Sequence, residues 1–105
     1  MVATEDLIEA IRARVGNVER IGYRIVVALT DSDDTITIAD GDGHVSVEAG
    51  GEEGDTTVRV TSDNLQKLID GKLNPLIAYS TGRLKVEGSQ GVALKLVSVL
   101  QSGDD

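Results

Sequence analysis

With 105 residues the chain has room for one hydrophobic core, because two domains of half that length would each bury too little surface to fold alone; a single domain over residues 1–105 is expected. An apolar fraction of 40% against 27% charged residues excludes a disordered chain. Eighteen acids against ten bases leave a net charge of −8, which makes nucleic acid or an anionic membrane a poor default partner, since neutralising phosphates takes clustered Lys and Arg.

In chain order, Thr4 is placed to cap a helix whose first turn carries Glu5 and Asp6, with Leu7, Ile8, Ile11 and Val15 on one face and Gly16 ending it. Over residues 19–30 the period changes to two, placing Ile21, Tyr23, Ile25, Val27 and Leu29 on one face of what is predicted to be the longest strand. Residues 31–34 form a polar turn, residues 35–39 a strand with Ile36 and Ile38 inward, and the DGDG run at 40–43 a hairpin connection. Val45 and Val47 continue the alternation as a meander, glycines and acids at 50–55 supply a turn, and Val58 and Val60 mark the fourth strand.

Ser62 or Asp63 is expected to cap a short helix bearing Leu65, Leu68 and Ile69 that stops at Gly71. A second short helix starts near Asn74, with Pro75 in the first turn where its missing N–H is harmless, and runs through Leu76, Ile77 and Tyr79 to Gly82. Residues 83–87 alternate as a fifth strand, and residues 89–101 form a final helix. The fold class is therefore α+β: a mainly antiparallel five-stranded sheet covered on one face by helices.

Two features bear on function. The chain has no Phe or Trp and only Tyr23 and Tyr79, so its interior is aliphatic and either leaves room for a ligand or packs on a smaller scale. In the final helix, Val92, Ala93, Leu94, Leu96, Val97, Val99 and Leu100 leave only a thin polar stripe of Lys95, Ser98 and Ser102, more apolar surface than one sheet needs. A ligand cavity, a homodimer interface through this helix, and burial between neighbouring helices all account for the surplus.

Chemistry-bearing motifs are scarce. Without Cys there is no disulfide, thiolate nucleophile or thiolate metal site. Gly88-Ser89-Gln90-Gly91 lacks the spacing of a nucleophile elbow, and His44 stands as the sole histidine, beside a turn. Asp40, Asp42 and His44 imitate the start of a calcium loop, but Val45 occupies the position that needs Gly and Gly51 the one that needs Glu. No catalytic residue, metal ligand or cofactor is assigned. The acidic start of the chain does not read as a signal peptide, and no apolar run is long enough to span a bilayer; a cytoplasmic protein without stable membrane insertion is expected.

Residues 58–100 carry Gly71-Lys72-Leu73-Asn74-Pro75, then Thr81-Gly82-Arg83-Leu84-Lys85-Val86-Glu87-Gly88, then Ala93-Leu94-Lys95-Leu96. In that order these resemble the signature half of the sterol carrier protein 2 (SCP2) family, while the N-terminal half agrees in the order of its elements. The resemblance implies helices enclosing an apolar cavity against the sheet, able to take sterols, fatty acids, acyl-CoA esters or isoprenoid-like lipids. The chain lacks the Phe and Met residues that often line that cavity, and a peroxisomal C-terminal ending, which counts against sterol as cargo.

The expected function is a non-enzymatic lipid-binding or carrier module whose partner is a lipid-like small molecule. Its alternatives are a structural or dimerisation module, or an accessory subunit presenting a lipidic intermediate to a biosynthetic enzyme. The candidate lining is Ile25, Val27, Ile36, Ile38, Leu76, Ile77, Leu96, Val97 and Leu100.

Overall fold

A computed structural model describes residues 3–15, 21–41, 44–51 and 54–102. The elements are α1 (Thr4–Val15), β1 (Ile25–Leu29), β2 (Thr35–Asp40), β3 (Val45–Ala49), β4 (Thr56–Val60), α2 (Ser62–Ile69), α3 (Pro75–Ser80), β5 (Leu84–Glu87) and α4 (Gln90–Ser102). The five strands form one sheet in the order β3-β2-β1-β4-β5. α1 packs over β3, α4 over β4 and β5, and α2 against both α1 and α4. The interior between these layers is aliphatic, built from Leu7, Ile11, Ile25, Val27, Ile36, Ile38, Leu68, Leu84, Leu96 and Leu100 among others.

The sheet is mainly antiparallel, as expected, and β1, β2 and β3 form the meander, but β4 does not continue it. β1–β2, β2–β3 and β4–β5 pair antiparallel, whereas β4 returns to lie parallel to β1, with Val27 opposite Val58. Central position explains the composition of β1: Ile25, Val27 and Leu29 face the helices, and Val26 is buried on the opposite side. A continuous apolar run is what a strand covered on both faces requires.

Gly50 and Gly51 leave β3, and Gly54 and Asp55 lead into β4 after crossing the outer face. The Gly50 N–H donates to the Thr35 carbonyl, the Thr37 hydroxyl donates to the Gly50 carbonyl at 2.6 Å, and the Asp55 N–H donates to the Arg24 carbonyl at 2.7 Å. The described residues of this connection lie close against the outer face of the sheet. Glycine makes this possible. A Cβ on Gly51 would stand 1.9 Å from Thr37 Oγ1, and one on Gly54 would stand 2.7 Å from the Arg24 carbonyl oxygen and 3.2 Å from Val26 Cγ2.

Several local expectations need correcting. β1 begins at Ile25 because the chain before it bends onto Asp40, whose carboxylate accepts from the Ile21 and Gly22 N–H groups at 2.7 and 2.9 Å. The Thr4 hydroxyl does not cap α1; it donates to Asp34 at 2.6 Å, and the Ala3 carbonyl accepts from Leu7 N–H. α2 is capped by Thr61, whose hydroxyl accepts from Asn64 N–H, while Ser62 is buried and bonded to Asp31. α3 starts beside Asn74 with Pro75 in its first turn, as expected, and the Asn74 side chain caps it. The predicted stop at Gly16, the start of the long strand at Glu19, and parts of both glycine-acid turns lie outside the described residues.

Candidate functional site

The inner face of β1 and β2 is a block of four branched side chains set by register: Ile25 faces Ile38, and Val27 faces Ile36. α4, packed over β4 and β5, turns Ala93, Leu96, Val97 and Leu100 inward at helical spacing, all buried. Seven of the nine expected lining residues, Ile25, Val27, Ile36, Ile38, Leu96, Val97 and Leu100, thus belong to one cluster between sheet and helix.

Leu76 and Ile77 do not join them. They are 61% and 55% exposed, because α3 is only six residues long and turns Ala78 inward against β5 and α4. A short helix has a single buried position to fill, and the smallest apolar side chain in it fills that position.

Where α4 passes the chain leading into β1, the packing leaves an apolar slot of about 40 Å³ lined by Ile21, Tyr23, Ile25, Val92, Lys95 and Leu96. Its floor is aliphatic, and Lys95 Nζ stands 5.8 Å from the centroid of the Tyr23 ring, a cation–π contact beside the slot. Ile25 and Leu96 were among the expected lining; Ile21, Tyr23, Val92 and Lys95 were not. The alternation that put Ile21 and Tyr23 on the face of Ile25 carried that signal. Lys95 read only as part of the polar stripe.

Most of the apolar surface of α4 is covered within the chain, Leu94 being half-buried but outside the core cluster. Val92 and Val99 are half-buried against the core, the helix contacts α1, α2 and α3 as well as β4 and β5, and no large apolar side chain exposed among the described residues lies on α4.

Elsewhere the clefts are open. One of about 450 Å³ runs along β3 beside His44, and Arg12 on its wall sends Nε and Nη2 to the Val47 carbonyl at 2.9 and 2.6 Å. Another, of about 400 Å³, lies between Thr30, Thr61 and Asn64 on one side and Arg59, Arg83 and Lys85 on the other. Among the described residues no group of three His, Asp or Glu side chains is placed to hold a metal ion, and no helix is long and apolar enough to cross a membrane.

Comparison with known proteins points one way. The model of the SCP-2 sterol transfer family matches residues 5–101. Sterol carrier protein 2 of Gallus gallus is 35% identical over 69 residues, covering 65% of this chain and 12% of that protein. The chain spans 12–16% of the length of the curated relatives it matches. Sterol carrier protein 2 from Yarrowia lipolytica, in its apo form, superposes with a TM-score of 0.72 at 20% identity, over 94% of this chain and 91% of that one. Palmitated SCP2L2 from Aedes aegypti superposes with a TM-score of 0.68 at 22% identity, over 94% and 95%.

Proposed function

The chain belongs to the SCP-2 sterol transfer family, and from that premise we propose that it is a non-enzymatic, cytoplasmic lipid carrier that holds a single acyl or isoprenoid chain between α4 and the start of β1. The observation that carries this reading is the slot between Ile25 and Leu96, an aliphatic recess with a cation beside it. An apolar tail enters the recess, and Lys95 meets a carboxylate or other anionic head left outside.

Size sets the mechanism. Small-molecule sites usually enclose roughly 300–1,000 Å³, so the slot of about 40 Å³ has to widen for the proposed cargo to enter. Loading moves α4 away from Ile25, and the tail takes the place of the packing between Ile25 and Leu96 that walls the slot. Each methylene transferred from water contributes about 0.8 kcal/mol, offset by the packing lost as the helix moves. Branched aliphatic walls without aromatic rings accommodate a flexible chain better than a rigid ring system.

The test is direct. Protein purified natively from its own cells is extracted with organic solvent, and bound lipid is identified by mass spectrometry alongside titration with a fluorescent fatty acid. Stoichiometric lipid, or saturable displacement of the probe, is expected. An empty extract together with no probe binding sinks the carrier reading.

A further inference from the structure

The outer face of the sheet, away from the helices, carries cations that the lipid slot does not use. In β4 and β5, Val58, Val60, Leu84 and Val86 pack toward the helices, so alternation turns Arg59 and Lys85 to the opposite side. There the two stand directly across from one another in the antiparallel register. Like charges in facing positions destabilise a sheet. Glu87 pairs with Arg59, but among the described residues the side chains of Lys85 and Arg83 have no ion pair or hydrogen bond. A local rule broken in this way, without compensation from the chain itself, is a mark of a functional site.

Arg59, Arg83 and Lys85 all line the cleft of about 400 Å³, together with Thr30, Thr61 and Asn64. Thr30 and Thr61 directly follow β1 and β4, and the parallel pairing of these strands ends where the Thr30 N–H donates to the Val60 carbonyl at 3.1 Å. The carboxyl ends of parallel strands are where open sheets receive ligands. The Thr61 oxygen accepts from the Asn64 N–H at 3.2 Å, which leaves its own O–H free to donate.

We infer that this cleft binds a small soluble phosphorylated ligand, a phosphate monoester or a diphosphate, through Arg59, Arg83 and Lys85, with Thr30, Thr61 and Asn64 donating to the remaining oxygens. A guanidinium fork matches two phosphate oxygens with two parallel bonds, and an ammonium adds a point charge. None of the described residues on the cleft wall is aromatic, so recognition rests on the phosphate and not on stacking against a base. The site is distinct from the lipid slot. That slot is lined by Tyr23 and Ile25 at the start of β1, on the helix side, whereas the cleft is reached at Thr30, about 16 Å further along the strand, and takes its cations from the other face.

Calorimetric titration with inorganic pyrophosphate at physiological salt tests the site. Saturable one-to-one binding is expected. Arg83→Gln with Lys85→Gln should weaken it roughly tenfold or more, since two charge-assisted contacts are lost. Lys67→Gln with Lys72→Gln removes the same charge outside the cleft and should bind as wild type does. Unchanged urea unfolding midpoints show that both double variants fold. Absence of saturable binding overturns the inference, and so do equal losses in the two double variants, which would reduce the effect to net charge. Competition between pyrophosphate and a fluorescent fatty acid also overturns it, because that places the pyrophosphate beside Lys95.

Discussion

Asp31 and Ser62, thirty-one residues apart, are joined twice: the Ser62 N–H and its hydroxyl both donate to one carboxylate oxygen of Asp31 at 3.0 Å. The pair ties the β1–β2 turn to the start of α2. The backbone N–H of Ser62 is the main cause that holds the Asp31 carboxyl below its ordinary pKa of 3.8. A group with a depressed folded-state pKa binds fewer protons than the unfolded chain, so its stabilisation is complete above the unfolded value and disappears as pH falls through the folded one. Urea unfolding midpoints of wild type and Asp31→Asn should therefore differ most above pH 4 and converge below the folded pKa. A gap independent of pH would show that the carboxylate charge adds nothing.

On the proposed carrier reading, Lys95 beside the slot sets the head-group preference. Lys95→Met keeps the aliphatic stem beside Tyr23 and removes the charge. Affinity for a fluorescent fatty acid should fall roughly two- to fivefold, the worth of an exposed ion pair, with affinity for the matching fatty alcohol unchanged. Equal losses for both probes would place Lys95 in packing alone.

Gly51 has φ +102 and lies against Thr37, so Gly51→Ala suffers both backbone strain and collision. It should destabilise the fold by roughly 2 kcal/mol or more in urea titrations. Gly50, at φ +91 with nothing within 4 Å of a built Cβ, should cost only about 1 kcal/mol on the same change. Equal costs would mean that the strap is not held against the sheet.

Arg12 covers the exposed edge of β3 by donating two bonds to the Val47 carbonyl. Arg12→Ala should lower stability by roughly 1.5–3 kcal/mol, the range for hydrogen bonds involving a charged group. Because an uncovered edge pairs with other strands, light scattering should also show concentration-dependent association. A variant as stable as wild type would make the fork incidental.

Much of the interior was legible because apolar periodicity reports which side of an element is dry. Leu7, Ile8, Ile11 and Val15, the inward residues of β1 and β2, and the inner face of α4 all follow from spacings of about 3.6 and 2. The motif run over residues 58–100 pointed to the family that the whole-chain comparison establishes. Leu76 and Ile77 were misplaced because periodicity carries little information over six residues, too few for two faces to repeat.

By itself, then, the sequence determined the α+β class, the order of the elements and the sides of them that face inward, since these depend on local spacing. Only the tertiary structure decided that β4 lies beside β1, that Gly54 closes on Val26 from the outer face, and that in an acidic chain Arg59, Arg83 and Lys85 line one cleft while Leu76 and Ile77 stay exposed on α3. The physical reason is the same in each case. A strand's side-chain alternation fixes its inner face but leaves its hydrogen-bonding neighbour open, and net charge says nothing about how charges are distributed once the strands are ordered.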